Sequence, residues 1–274
     1  MEKFIEIEGG ARIFVEASGE GEAVLYCHAD FLDGRMWDTA RASLGCDRRT
    51  ASYDKLGYGR SDPATGPICR RRELEAVLRN LDLAPAHLVG CSNGGQAALD
   101  LALERPELVR SLTLVNSSPS GFAPEGSPPT ELLEMIEASQ KGDLEVASEL
   151  QLRIWFDGPS RRPEDLSSAR LLARSKARVM NKIFVERGTF WTAQPAEPLD
   201  PPAVARLGEI RLPILVVSGA LDYAENCRAS RIMAEGIPGA RMVEMAGCAH
   251  VPPLEAPEEF TAVLRGFLES IAAA

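Results

Sequence analysis

Near the start of the chain, apolar positions fall at Phe4, Ile5 and Ile7, stop at Gly9-Gly10, and resume at Ile13, Phe14 and Val15. Two such runs around a glycine pair predict a β-hairpin. Residues 23–27 (AVLYC) form a nearly unbroken apolar run, the pattern of a strand covered on both faces, and a further short strand is expected at 50–53. From Glu73 the spacing changes: Leu74, Val77, Leu78 and Leu81 recur at helical intervals until Pro85 closes the segment. A strand at 87–89, a helix over 96–103 ahead of Pro106, and a strand at 112–115 continue the series. Strand and helix alternate, which predicts an α/β protein with a mostly parallel sheet and helices on both faces.

That rhythm breaks after Pro119. Residues 121–206 contain helical stretches, 132–140 and 166–184 among them, but no clear buried strand. Ser117-Ser118-Pro119 stands before the region, and Pro195, Pro198, Pro201 and Pro202 close it. The reading is a helical cap inserted into a core domain formed by 1–120 and 207–274. In the second part of the core, strands are expected at 214–217 and 241–243, a helix over 228–235, and a last amphipathic helix through Phe260, Val263, Leu264 and Phe267.

The strongest local signal is Gly90-Cys91-Ser92-Asn93-Gly94-Gly95, lying between a predicted strand and a predicted helix. In that context G-x-S-x-G is the nucleophile-elbow pattern. A sharp strand-to-helix turn strains the central residue and lifts its hydroxyl off the sheet, while Cβ atoms two positions either side would collide with neighbouring backbone. A purely structural glycine-rich turn is the competing reading. Cys91 is intrinsically the better nucleophile, but its position packs it toward the sheet, so it is read as structural.

A serine nucleophile needs a base, and the chain has three histidines. His87 opens a strand and falls at the far edge of the sheet. His28 ends a strand near the site, in a structural or loop-forming place. His250 follows the last predicted strand, at the carboxyl end where ligands bind in open α/β sheets, and is the candidate base. Asp222, in the turn after strand 214–217, is the candidate acid that would orient it, with Glu225 as the fallback.

These stretches, with His28-Ala29-Asp30, Arg35-Met36-Trp37-Asp38, Tyr53-Asp54 and Gly57-Tyr58-Gly59-Arg60-Ser61, resemble the α/β-hydrolase superfamily. So do Gly219-Ala220-Leu221-Asp222, and His250 ahead of Leu254-Glu255-Ala256-Pro257-Glu258. The likeness is to 3-oxoadipate enol-lactonases and small carboxylesterases, and it spans all but the insertion. It implies the α/β-hydrolase fold with a helical cap, and a triad of Ser92, Asp222 and His250. It also implies an oxyanion hole from the backbone N–H groups of Asn93 and Asp30, or of Phe31 if the loop is shifted by one. Each such donor stabilises transition-state charge by about 3–4 kcal/mol. Relatives usually carry glycine or another small or apolar residue at the position of Asp30. A carboxylate about 4 Å from an oxyanion costs roughly 4 kcal/mol at an effective dielectric of 20. The Asp30 side chain is therefore expected to point away, to be protonated, or to have a task of its own, the first being preferred.

The insertion supplies Trp155, Phe156, Phe184, Phe190 and Trp191 to roof a pocket, and Phe31, Trp155 and Trp191 are the expected substrate contacts. Arg161-Arg162 and Arg70-Arg71-Arg72 are read as solvated, although Arg161-Arg162 could meet a substrate carboxylate. A net charge of −10 and a pI of about 5.0 disfavour nucleic acid and anionic membranes as partners. Six scattered cysteines suggest reduced thiols, and the N-terminus MEKFIEIEGG has no signal-peptide core. A cytoplasmic monomer or homodimer is expected. The function expected is hydrolysis of an ester or lactone of a small, largely apolar molecule through an acyl-enzyme, without metal or cofactor. Carbon–carbon bond hydrolysis or lyase/cyclase chemistry on the same fold is the alternative, although Val251 stands where ring-cleavage relatives tend to have Trp. A non-catalytic ligand receptor that retains the triad is a further one.

Overall fold

In the computed structural model, which describes residues 1–272, eight strands form one sheet: β1 (Glu2–Glu6), β2 (Arg12–Ser18), β3 (Ala23–Cys27), β4 (Arg49–Tyr53), β5 (Ala86–Cys91), β6 (Val109–Val115), β7 (Ile214–Gly219) and β8 (Arg241–Met245). Their order is β1-β2-β4-β3-β5-β6-β7-β8; β2 runs antiparallel to its neighbours and the remaining pairs are parallel. The α/β-hydrolase fold expected from the motifs is the one observed.

Side-chain alternation sorts the strands between two cores. Leu25, Leu88, Leu112, Leu114 and Val216 face the side covered by α2 (Arg70–Asn80), α3 (Asn93–Glu104) and α8 (Ala224–Gly236). Tyr26, Val89, Val115 and Val217 face the other side, under α1 (Asp38–Leu44) and α10 (Pro257–Ala272). Both faces being apolar is why these strands read as continuous hydrophobic runs. Trp37, wholly buried between Tyr26 and Phe260 with ring centroids 5.2 and 5.9 Å away, locks the second layer.

The chain leaves β3 toward β4 on one side and reaches β5 on the other. A crevice opens where strand order reverses, outside the carboxyl ends of β3 and β5. Between β6 and β7 the chain contributes α4 (Thr130–Lys141), α5 (Leu144–Leu152), α6 (Ser168–Glu186) and the short α7 (Thr189–Thr192). Helices α5 and α7 had no clear signature in the sequence. This layer meets the crevice loops at specific points. Phe184 stacks on Tyr58 at 5.2 Å, Thr189 Oγ1 donates to the Gly57 carbonyl at 2.6 Å, and Asn181 Nδ2 donates to the Phe31 carbonyl at 3.2 Å. No helix among the described residues is long and apolar enough to cross a membrane.

Asp54, at the end of β4, organises the loops beneath the crevice: its carboxylate oxygens accept from Gly34 N and Arg60 N, each at 2.8 Å. Burial, and then the neighbouring Asp33 charge, push its carboxyl up to about 6. In the unfolded chain the value is near 3.9, roughly, so the native state binds the proton more tightly. The stability this group adds is full below about pH 4 and is lost as the pH rises through about 6. Asp54→Asn is expected to lower stability overall, since an amide cannot accept at both oxygens, and to flatten that limb. Urea denaturation of both proteins between pH 4 and 7 measures the difference.

Candidate active site

Ser92 sits between β5 and α3 with φ +54° and ψ −124°, a region non-glycine residues rarely occupy. Its N–H donates to the Val115 carbonyl at 2.9 Å, and its own carbonyl accepts from Gly95 N and Gln96 N at 3.0 and 3.1 Å. Helix α3 therefore opens at Asn93, three residues earlier than the spacing predicts, which places the Asn93 amide in the first turn, where no intrahelical acceptor exists. The glycines are needed for close approach. A Cβ on Gly94 would lie 2.6 Å from the His28 carbonyl oxygen, and one on Gly90 would strike the backbone of Gly94 and Gly95.

His250 and Asp222 meet from two different loops, His250 Nδ1 lying 2.7 Å from Asp222 Oδ2 with both residues buried. The carboxylate holds the Nδ1 proton, which leaves Nε2 as the basic nitrogen of the neutral ring. The other oxygen, Asp222 Oδ1, accepts from Tyr223 N at 2.8 Å and Asn226 Nδ2 at 2.9 Å. Trp155 lies against the imidazole, ring centroids 4.8 Å apart. Ser92 and His250 line one cavity of about 530 Å³ that residues of helices α4 to α7 also line. Glu225, the fallback acid, is instead engaged with Arg228 and the Glu125 amide. His87 lies at the opposite end of β5, bonded to Ser111 Oγ at 2.8 Å, and the Cys91 thiol is buried and pushed well up by desolvation.

Three residues that the sequence did not single out hold this arrangement. Asn226 follows Asp222 by one helical turn. Asn116, directly after β6, donates to the Ala249 carbonyl at 2.7 Å and accepts from Gly219 N at 2.9 Å, tying the loops of Asp222 and His250 together. Glu255 accepts from Ala249 N and Val251 N, the amides flanking His250, at 3.0 and 3.1 Å. The i, i+4 spacings of Asp222 to Asn226 and of Val251 to Glu255 are signals the sequence carried; the contacts of Asn116 are purely tertiary.

Arg161 was expected to be solvated or to meet a substrate carboxylate, and it does neither. It is buried, with Nη2 on Glu255 Oε2 at 2.6 Å and on the Phe156 carbonyl at 2.7 Å, while Nε donates to the Asp157 carbonyl at 2.8 Å. It joins the segment between β6 and β7 to the loop carrying His250. The basic run at 70–72 also departs from expectation: Arg70 and Arg71 line the cavity, paired with Glu73 at 2.6 Å and Glu104 at 2.8 Å, and only Arg72 is solvated. The apolar stretch of helix α2 hid this, because Glu73 turns inward to accept from the Leu56 amide at 3.0 Å and draws Arg70 with it.

In the loop after β3, His28 Nδ1 bonds the Ala29 carbonyl at 2.7 Å and Nε2 accepts from Lys55 N at 2.9 Å, which fixes a neutral ring. Burial, then Lys55, depress its basicity far below the usual range. Asp30 does not point away. It lines the cavity and forms an ion pair with Lys55. Burial opposes its ionisation, but Lys55 and Arg70 outweigh that and hold the carboxyl below its ordinary value, so it is not protonated either.

Phe31 and Trp155 line the cavity with Phe184 and Phe190. Trp191 does not. Its Nε1 donates to Ser139 Oγ at 2.9 Å, away from the cavity, and its neighbour Phe190 on the same short helix takes the place on the wall. Gln96, Gln151, Arg70 and Arg71 make the lining mixed rather than largely apolar. Among the described residues, no group of three or more His, Cys, Asp or Glu side chains could hold a metal ion.

A family model described as "Alpha/beta hydrolase family" matches residues 24–263. The chain is 29% identical to a pimeloyl-[acyl-carrier protein] methyl ester esterase of Chromobacterium violaceum, over 94% of this chain and 98% of that one. It is 28% identical to a 2-hydroxy-6-oxononadienedioate/2-hydroxy-6-oxononatrienedioate hydrolase of Paraburkholderia phymatum, over 97% and 95%. The solved structure of Est816, an N-acyl homoserine lactone degrading enzyme, superposes with a TM-score of 0.75 at 27% identity, covering 97% of this chain and all of that one.

Replacing Arg161 by Met leaves Glu255 buried without its cation, which typically costs about 3–5 kcal/mol. Chemical denaturation should register that loss. Arg161→Met/Glu255→Leu, which removes both charges, should recover only part of that stability and remain impaired in turnover, because the buried amides beside His250 lose their acceptor.

Proposed function

Because the chain belongs to the alpha/beta hydrolase family, we propose that it hydrolyses an ester or lactone of a small molecule through an acyl-enzyme on Ser92. The observation that carries this reading is the pairing of His250 with Asp222 on the wall of the cavity that Ser92 enters from its strained turn. The cavity volume of about 530 Å³ suits a small-molecule substrate.

Ser92 Oγ attacks the scissile carbonyl carbon while its proton passes to His250 Nε2. The new imidazolium is stabilised by Asp222, whose second oxygen is held by Tyr223 N and Asn226 so that it cannot swing away. Negative charge on the carbonyl oxygen is met by the Asn93 amide and by an amide of the loop at Asp30 and Phe31. Collapse breaks the bond to the leaving alcohol, which takes the proton from His250. Water then attacks the acyl carbon, gives a proton to His250, and Ser92 leaves with that proton as the acid departs. The matched Asp30–Lys55 pair removes the electrostatic objection to a carboxylate beside the oxyanion, since the ammonium offsets its charge.

The relatives are named for an ester, a lactone and an oxo-dienedioate, so bond type is the point to test. Turnover of short-chain esters and lactones, followed by pH-stat, is expected to fall by about 10³-fold or more in Ser92→Ala and His250→Ala. A phosphonate probe should add its mass to the wild type at Ser92 and not to Ser92→Ala. Tight binding of an ester with no turnover and no labelling would instead mean a receptor.

A further inference from the structure

We propose that Asp30 is a substrate-recognition residue that selects acyl groups carrying a neutral hydrogen-bond donor, a hydroxyl or amide N–H, next to the scissile carbonyl. The proposal rests on the hydrolytic reading of Ser92 and names the substrate class of that site.

The starting point is Lys55, whose side chain is 0% exposed. An ammonium is buried at great cost unless it is paired, and Asp30 is its one ion-pair partner among the described residues. The Tyr58 ring lies 4.8 Å from Nζ and completes the enclosure. Asp30 is thereby fixed in place and in its ionised form. Its own side chain is not enclosed: 47% of its surface is open, and it lines the cavity shared by Ser92 and His250. Lys55 is bonded to Oδ1. A carboxylate offers about four lone-pair sites, so one ammonium with the Tyr58 hydroxyl beside it does not saturate the group.

Position decides what the open face can meet. The loop bearing Asp30 follows β3, at the switch point beside Ser92, and on the hydrolytic reading its amides supply the second arm of the oxyanion hole. Asp30 lines the same cavity as Ser92 and His250, so its open carboxylate face is available to a substituent of the acyl group held there. Charge decides the class. The Asp30 charge is already cancelled by Lys55, and Arg70 on the same wall is matched by Glu73, so a substrate ammonium would find no unpaired anion there to offset its desolvation. A substrate carboxylate would meet Asp30 itself. A neutral O–H or N–H satisfies the acceptor without adding charge. If the pair served packing alone, two apolar side chains would serve as well or better, because a buried ion pair rarely outperforms them.

Matched substrates test this: methyl butanoate, methyl 2-hydroxybutanoate and methyl 2-aminobutanoate, followed by pH-stat at pH 6, where the amine is protonated. Wild-type kcat/KM is expected to favour the hydroxy ester over the plain ester by about tenfold or more, and to give the amino ester no such advantage. Asp30→Asn, which keeps an acceptor oxygen, should retain part of the preference. In Asp30→Gly/Lys55→Met, which removes both charges and so leaves no buried unpaired ammonium, the ratio should fall toward unity whatever happens to the absolute rates. A ratio that survives in the double variant, or no preference in the wild type, overturns the proposal. Ser92→Ala separates the two readings: if it still turns over these esters, the hydrolytic reading fails and this inference with it. If it is inactive while the ratio ignores Asp30, only the inference fails.

Discussion

The constraint on which the rest depends is the backbone of Ser92. A non-glycine residue in that conformation costs about 1–3 kcal/mol, and it persists only where the surroundings over-determine it. Here they do so from three directions. The Val115 carbonyl holds its amide from the neighbouring strand, the first turn of α3 holds its carbonyl, and glycines at 90 and 94 let the loop after β3 and the helix close around it. The same closure brings the His28–Phe31 loop beside the serine. Strain at Ser92, the approach of the His28–Phe31 loop and the location of the crevice are consequences of one packing decision at the centre of the sheet.

What the sequence made legible is what local rules govern. The glycine spacing around Ser92 reports a steric requirement that no other residue meets. The apolar runs of β3, β5 and β7 report burial on two faces, and Asp222 and His250 stand out because each follows a strand at its carboxyl end. What was not legible depends on partners far away in the chain. Arg161 and Arg70 look like surface residues until Glu255 and Glu73 are seen to be buried beside them. The choice between Phe190 and Trp191 as a cavity residue turns on the rotation of a four-residue helix, too short for periodicity to fix. Asp30 looked like an obstacle because its partner, Lys55, lies on another strand's end.

Most charges on the polar wall of the cavity come in matched pairs, the exception being Asp100, which accepts from Ser120 Oγ at 2.6 Å. Asp30 faces Lys55, Arg70 faces Glu73, Arg71 faces Glu104, and Glu197 faces Arg72. The surface offers donors and acceptors with little net charge, while Phe31, Trp155, Phe184 and Phe190 supply apolar contact. The overall acidity of the chain therefore says little about what its cavity holds.

Asn181 sits at the middle of α6, wholly buried, accepting from Ser148 Oγ at 2.6 Å, bonded to Gln151, and donating to the Phe31 carbonyl. It is a rivet through three parts: helices α5 and α6 and the loop at Phe31. Lifting the roof to admit or release a molecule means either breaking that bond or dragging the loop along. Any displacement of α6 is therefore transmitted to the backbone at Phe31, on the wall of the cavity that Ser92 and His250 share.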